Sequence, residues 1–326
     1  MGHPRDNGLE CPLANRRVRR YGSSPGNARL YSPTFCKSHE GNIMKSQHVT
    51  GGGGTQVHVV ETGNPEGRPI LFLHGFSQCW LAWSRQMNSD LAKDHRLVAM
   101  DLRGHGLSEK PRDAYFESRL WADDVHAVLE SLKLQQPILS GWSYGSLVIL
   151  DYVRHYGEDA VGGIHIVDGI TKLGSDAALS VLTPEFLSLV PGLLSTDAGE
   201  SVGSLEALLR MCLTQEPSAT DLFLMLGYNV AVPPHVRQAL FARSFDNEDL
   251  LPKIRKPVLI THGTDDAIVK PAVVDQHKSA VPHAQVHMMP NAGHAPCWND
   301  APSFNQRLRT FAASVSGDPS SVAQTV

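Results

Sequence analysis

Ser143 lies two residues after Gly141 and two residues before Gly145, in the stretch GWSYG. Residues 137–139 have the apolar character of a short buried strand, and residues 147–150 have that of a helix. This is the G-x-S-x-G pattern, in which a sharp turn between strand and helix exposes a serine hydroxyl at the helix N-terminus. The two glycines would leave room for the strand and helix backbones to pass. The pattern predicts that Ser143 is a nucleophile in a nucleophile elbow.

A serine hydroxyl attacks a carbonyl only when a base takes its proton, and the base needs an acid to orient it. Of the 16 histidines, His294 in the stretch NAGHAPCWND lies on a loop between the last predicted strand and a final helix. The stretch HGTDDAIV ends another predicted strand and offers Asp265 and Asp266, of which we favour Asp266 as the acid. Asp168, which ends the run IHIVD, is the alternative. The predicted triad is therefore Ser143, His294 and Asp266.

The other chemically suggestive residues indicate neither a cofactor nor a metal. His74, His105 and His262 sit at strand ends or in glycine turns, and we interpret them as hydrogen-bonded structural histidines. The glycine run at residues 48–55 has no following Lys-Ser/Thr, so it predicts a flexible turn near the first strand and no phosphate loop. Five cysteines without CxxC spacing indicate free thiols and a cytoplasmic location.

Six short apolar runs must position these residues. Their apolar character is nearly continuous, which is typical of parallel strands covered on both faces. Segments of helical period alternate with them, at residues 118–134 and 143–157 for example. This alternation predicts an α/β protein with a doubly wound, mostly parallel sheet, whose ligands bind outside the carboxyl ends of the strands. The runs are RPILFLHG (68–75), RLVAMD (96–101), QPILSG (136–141), VGGIHIVDG (161–169), KPVLITHG (256–263) and AQVHMM (284–289).

The alternation breaks between residues 171 and 251, where the sequence is helical, rich in Leu and Met, and without a predicted strand. We predict a helical cap, inserted before the strand that carries the catalytic acid. The core would then comprise residues 47–170 and 252–316, with a tail at 317–326 and an unstructured leader at 1–46. Apolar cap residues predict an apolar acyl or alcohol group in the substrate, although most could equally form the cap's own core: Phe186, Leu187, Leu194, Leu209, Phe223, Met225 and Leu226.

The bulk composition excludes several partner classes. The formal net charge is −4, with 19% charged and 41% hydrophobic residues, which gives no electrostatic reason to expect nucleic acid or an anionic membrane. No apolar run approaches the roughly 18–20 residues that span a bilayer. We expect a small molecule as the substrate and neither nucleic acid nor a membrane as a partner, and the sequence leaves the oligomeric state open.

From about residue 57 to residue 315 the chain resembles the α/β-hydrolase superfamily. The matching stretches are LHGFSQCW, DLRGHGLSEKP, GWSYG, HGTDD and NAGHAP, and the order of nucleophile, acid and histidine is that of the family. The chain is most similar to the branch of small esterases, cofactor-free haloperoxidases and C–C bond hydrolases. Relatives with an aspartate nucleophile, the epoxide hydrolases and haloalkane dehalogenases, are excluded because Ser143 occupies that position.

The resemblance also implies roles for backbone groups. In that family the residue after the His-Gly of the first motif donates its N–H to the oxyanion, which here is Phe76, and the residue after the nucleophile, Tyr144, is the second donor. Asp101, Arg103 and His105 of the stretch DLRGHGLS would be packing and turn residues.

The function that these features imply is hydrolysis of a small-to-medium carboxylic ester through an acyl-enzyme. Perhydrolysis, lactone hydrolysis and C–C bond cleavage use the same triad and are the alternatives within the enzyme class. A hydrolase-fold ligand receptor is the alternative outside it.

Overall fold

A nine-stranded sheet organises the computed structural model, which describes residues 34–37 and 43–315 of the chain. The strand order within these residues is β1-β2-β3-β5-β4-β6-β7-β10-β11, and every pair from β5 to β11 is parallel. The strands are β1 (Thr34–Lys37), β2 (Ile43–Thr50), β3 (Gln56–Gly63), β4 (Arg68–Leu73), β5 (His95–Met100), β6 (Ile138–Trp142), β7 (Gly163–Val167), β8 (Lys172–Leu173), β9 (Phe245–Asp246), β10 (Val258–Gly263) and β11 (Gln285–Met289).

The six predicted strands are all present, and the predicted α/β fold with a mostly parallel sheet is confirmed. Strands β6, β7 and β10 are buried along their whole length, as continuous apolar runs require. Each fully buried side chain of the Ile138 or Leu139 type contributes about 1.5–3 kcal/mol to stability. Strand β11 forms the sheet edge, and its first four residues alternate between half-buried and exposed.

The antiparallel strands β1, β2 and β3 extend this sheet beyond β5, and the sequence did not indicate the first two. The predicted leader boundary after residue 46 is wrong at this point, since residues 43–46 belong to β2 and residues 34–37 form β1. In β2 only Ile43, Met44 and Val49 are apolar in an otherwise polar strand, so its periodicity is weak. The rest of the predicted leader, and the predicted tail from residue 317, lie outside the described residues.

Twelve α-helices accompany the described strands. Helix α4 follows the predicted span closely and ends at Tyr156, directly before Gly157, whose φ of 72° suits a glycine C-cap. Helices α3 and α4 pack on one another, and α12 packs on β7 through Phe304 and His165, with ring centroids 5.4 Å apart. The helices are α1 (Ser84–Met87), α2 (Leu91–Asp94), α3 (Ser118–Ser131), α4 (Tyr144–Tyr156), α5 (Asp176–Ser180), α6 (Pro184–Leu193), α7 (Ala198–Cys212), α8 (Ala219–Val230), α9 (Pro234–Ala242), α10 (Val273–Ala280), α11 (Pro296–Asn299) and α12 (Ala301–Val315).

Helices α5 to α9 occupy the segment that was predicted to be a cap. Strands β8 and β9 flank them and pair antiparallel, which brings the two ends of the segment together. Inside it, the buried guanidinium of Arg237 donates to the carbonyls of Leu193 and Val232 and to the Ser201 hydroxyl, so that one side chain ties three parts of the segment together. Leu182, Phe186 and other residues of the segment share a cavity with Ser143.

Two further observations concern the described residues only. No helix among them is both long enough and apolar enough to cross a bilayer. Cys79, Cys212 and Cys297 are buried free thiols.

Candidate active site

Ser143 forms the turn between β6 and α4, with a φ of 53° and a ψ of −115°. This is a left-handed backbone conformation that costs a non-glycine residue of the order of 1–3 kcal/mol. The Ser143 amide donates to the carbonyl of Val167 (2.8 Å), which fixes the turn against β7. The side chain is half-buried and lines two cavities beneath the helices of the cap segment.

The two glycines of the motif are required by steric contact. A Cβ added to Gly145 would lie 2.3 Å from the carbonyl oxygen of Leu73, at the end of β4. A Cβ added to Gly141 would lie 2.7 Å from the carbonyl carbon of Gly145. Both contacts are with backbone, which cannot rotate away as a flexible side chain could.

Replacing Gly145 by alanine should therefore lower the free energy of unfolding by about 3 kcal/mol, because the helix must move off the strand. Thermal unfolding followed by circular dichroism measures the loss. Gly227 in α8 is the matched control, since a Cβ there has nothing within 4 Å and alanine is the better helix former. An unchanged melting temperature in Gly145→Ala would contradict the steric account.

His294 and Asp266 form a buried hydrogen-bonded pair, with 2.8 Å between Nδ1 and Oδ2. The other carboxylate oxygen of Asp266 accepts from the amides of Ile268 (2.8 Å) and Val269 (3.0 Å). Burial acts to raise the pKa of Asp266, but the charge of His294 and hydrogen bonds from His262 and His294 outweigh it, and the net pKa lies well below its ordinary value. Asp266 is therefore an ionised acceptor at neutral pH.

The loop that carries His294 is held from two sides. The indole Nε1 of Trp142 donates to the His294 carbonyl (2.5 Å), and the amide of Ala295 donates to the carbonyl of Cys212 (3.0 Å), the last residue of α7. The Trp142 ring is buried, and no sequence pattern indicated its contact with the His294 loop.

The structure brings Ser143 and His294 to the same cavity. Both side chains line it, together with Gly75, Phe76 and Trp142 among others. Within residues 43–315 no hydrogen bond joins the Ser143 hydroxyl to the imidazole, whose Nδ1 is engaged with Asp266. Nε2 is therefore the nitrogen left for the hydroxyl, and such bonds commonly tighten only when substrate is bound.

Two backbone amides border the Ser143 side chain. The amide of Tyr144 starts α4 and so has no acceptor within the helix, and the amide of Phe76 has no backbone acceptor among the described loops. The Phe76 loop lies close by, since a Cβ on Gly75 would be 3.3 Å from that of Ser143. Unpaired N–H groups at this position are what a developing oxyanion needs.

Tyr144 is also tied to the cap segment by Arg243, a contact that the sequence did not suggest. The buried guanidinium of Arg243, just after α9, donates to the Tyr144 hydroxyl (3.0 Å) and to the Asp151 carboxylate (2.7 Å). Burial raises the pKa of Asp151 to about 6 although Arg243 opposes the shift. This ion pair fastens one end of the cap segment to the helix behind Ser143.

The remaining acid candidates differ from Asp266 in their contacts. Asp265 is exposed and bonds to the neighbouring Thr264 hydroxyl. Asp168 is buried and accepts from the Gly263 amide (2.9 Å), and its nearest histidine is His262, at 3.6 Å. Neither is bonded to His294.

Most of the other predicted structural residues have structural contacts. His74 bonds to the carbonyl of Gly75 through Nδ1 (2.8 Å) and accepts from the Leu102 amide (3.0 Å). Burial lowers the pKa of His74, so it is neutral at pH 7. Asp101, Arg103 and His105 are buried and hydrogen-bonded within their turn and to its neighbours.

His262 differs from them, because its Nε2 lies 3.2 Å from the Asp266 oxygen that also meets His294. With Asp168 and Asp266 it forms the one group of possible metal ligands found among the described residues. Both oxygens of Asp266 already accept hydrogen bonds, so the arrangement is that of a hydrogen-bonded network.

The two cavities at Ser143 differ in polarity. The first, of about 40 Å³, is lined by apolar side chains apart from Ser143 and Tyr144, and the second, also about 40 Å³, contains Gln78, Cys212 and His294. Of the cap residues predicted to contact substrate, Phe186 lines both cavities. The prediction is wrong for Phe223, which is 78% exposed on α8.

Comparison with known proteins agrees with this architecture. A family model described as the alpha/beta hydrolase fold matches residues 68–301. The esterase RhEst1 from Rhodococcus sp. ECU1013 superposes with a TM-score of 0.79 at 36% identity, over 83% of this chain and 99% of that one.

Two curated relatives carry other activities in their names. The non-heme chloroperoxidase of Streptomyces lividans is 27% identical over 68% of this chain and 82% of its own length. The 2-hydroxymuconate semialdehyde hydrolase of Pseudomonas sp. strain CF600 is 26% identical over 70% of this chain and 81% of its own.

Proposed function

Because this chain belongs to the α/β-hydrolase family, we propose that it is a serine hydrolase that cleaves a carboxylic ester with a short acyl group. The observation that carries the proposal is the buried 2.8 Å bond between His294 and Asp266, with the imidazole lining the same cavity as Ser143. The similarity to an esterase at 36% identity supports the same reaction class.

The reaction would proceed in two proton-balanced stages. The Ser143 oxygen attacks the ester carbonyl while Nε2 of His294 takes the hydroxyl proton, and Asp266 stabilises the imidazolium. The amides of Phe76 and Tyr144 donate to the oxyanion, each worth about 3 kcal/mol. The C–O bond then breaks, and His294 returns its proton to the departing alcohol. Water then attacks the acyl-enzyme while His294 takes its proton, and His294 returns that proton to the Ser143 oxygen as the carboxylic acid is released.

The position of His294 supports a different role for each of the two cavities. Because His294 must protonate the departing alcohol, the leaving group belongs in the cavity that contains it, and the acyl chain in the apolar cavity beside Tyr144. The apolar cavity is small, at about 40 Å³, and its size favours a short acyl chain such as acetyl or butyryl.

Multiple turnovers on p-nitrophenyl acetate and butyrate test the proposal. We expect kcat/KM for the octanoate ester to be at least about tenfold lower, because the longer chain must displace packed side chains. Leu240→Ala should raise kcat/KM for the octanoate ester relative to that for the acetate ester. Of the two cavities at Ser143, Leu240 lines only the apolar one. Leu208→Ala, in the cavity of His294, is the matched control and should leave the acyl preference unchanged.

Perhydrolysis is the second candidate, because the named chloroperoxidase is a relative and a triad of this kind would serve both reactions. Peroxide-dependent halogenation in the presence of a short carboxylic acid would favour it. A single slow cycle on every ester, with no halogenation, would instead favour a ligand receptor and would overturn the proposed function.

A further inference from the structure

A second histidine, His262, contacts the Asp266 oxygen that is bonded to His294. His262 is the penultimate residue of β10. Its side chain is 1% exposed, and its Nε2 lies 3.2 Å from Oδ2 of Asp266 and 3.1 Å from the carbonyl of Val269. His294 approaches the same Oδ2 from the other side, at 2.8 Å. On its far side, Nδ1 of His262 lies 3.6 Å from Oδ1 of Asp168.

We propose that His262, backed by Asp168, is a positioning residue that holds the Asp266 carboxylate toward His294 and sets the charge that His294 experiences. This inference rests on the proposed function. His262 acts through Asp266 and does not touch substrate.

Stability alone does not account for the arrangement. Asp168 is fully buried, Oδ2 has no hydrogen-bond partner within residues 43–315, and the backbone φ of 42° is left-handed. Replacing a buried charge pair by apolar side chains of similar volume is often neutral or stabilising. A cluster that leaves one buried oxygen unpaired is therefore better explained by what it does to its neighbour, Asp266.

The charges around Asp266 come from few groups. Burial acts to lower the pKa of His262, but the charge of Asp168, the bond to Asp266 and the Asp266 charge raise it to about 9, so His262 is a cation at pH 7. Burial raises the pKa of Asp168, against the opposing charge of His262. His277 on α10 faces His262, and burial lowers the pKa of His277 to about 4, which leaves it neutral.

The thiols nearby add no charge. Burial raises the pKa of Cys212, at the end of α7, and that of Cys297 in α11, so both are protonated at pH 7. His262 is thus the cation that competes with a protonated His294 for one oxygen of Asp266. Removing the His262 charge should let Asp266 hold a proton on His294 more strongly, and the acidic limb of kcat/KM should move to higher pH.

Two variants separate the charge from the hydrogen bond. His262→Leu removes both, and His262→Gln places a neutral donor near the position of Nε2. With p-nitrophenyl acetate we expect His262→Leu to lower kcat by about 10- to 100-fold with KM within about twofold, because the carboxylate loses its alignment. His262→Gln should recover most of kcat and shift the acidic limb upward by about one pH unit.

A buried histidine away from the site provides the control. His165 on β7 is bonded to Ser140 (3.0 Å) and Thr261 (2.9 Å), and His165→Leu should change the melting temperature and leave kcat and its pH profile unchanged. Wild-type kcat and pH profile in both His262 variants would overturn the inference, as would a His262→Gln enzyme with neither recovery nor a shifted limb. If the His262→Leu variant does not fold, the pH profile of the His262→Gln variant tests the inference on its own. A wild-type protein without turnover on any ester would instead refute the proposed function.

Discussion

Replacing Ser143 by alanine should lower kcat for p-nitrophenyl acetate by at least about 1000-fold, because in the proposed mechanism the Ser143 oxygen forms the acyl-enzyme bond. The fold should survive the change. The Ser143 side chain makes no capping hydrogen bond, and alanine has the same Cβ in the same turn. Steady-state kinetics and thermal unfolding, measured on the same preparation, check both halves of the prediction.

A neighbouring serine offers a matched control. Ser146 lies one turn further along α4, buried, with its hydroxyl donating to the carbonyl of Gly141 (2.9 Å). Ser146→Ala should keep kcat within a few-fold of the wild type. A serine-reactive phosphonate should add its mass to the wild type and to Ser146→Ala, and labelling of Ser143→Ala would show that another residue is the nucleophile.

Asp266→Asn should lower kcat by about 10⁴-fold, the effect of an amide that favours the wrong imidazole tautomer. Asn keeps the size of the side chain but presents a donor or a neutral acceptor to Nδ1 of His294, where the carboxylate now accepts at 2.8 Å. The loss should appear in kcat with little change in KM, because the carboxylate acts on the charge formed during the reaction.

Asp168→Asn tells the two candidate acids apart. Asp168 reaches His294 only through His262 and Asp266, so its amide variant should lower kcat by no more than about tenfold. If Asp168→Asn were the more damaging change, the acid would have been assigned to the wrong strand end. Kinetics of both variants at one pH on the kcat plateau make the comparison direct.

The elbow could be predicted from the sequence because its requirements are local. A five-residue pattern with an apolar strand before it and an apolar helix after it leaves few alternatives for Gly141 and Gly145. The proximity of Asp266 and His294 could be predicted from the parallel topology, since residues that follow parallel strands meet at one edge of the sheet. The structure brings this pair within hydrogen-bond distance although 28 residues separate them.

Features that depend on contacts between distant segments could not be predicted in this way. A helical period in the cap identified apolar side chains but not which neighbour each would face, so Phe223 was expected at the substrate and lies exposed. Arg243 belongs to no sequence motif, and its contacts with Tyr144 and Asp151 form only when the cap segment packs against α4. His262 was recognised as a strand-end histidine, yet its approach to Asp266 depends on the path of the loop after β10.

The left-handed backbone at Ser143 has a consequence for protein engineering. Glycine would relax that turn without a steric penalty, so a screen for heat resistance alone would favour its substitution there and discard the hydroxyl that we propose as the nucleophile. Attempts to raise the melting temperature of this protein should therefore keep Ser143 and introduce stabilising substitutions at other positions.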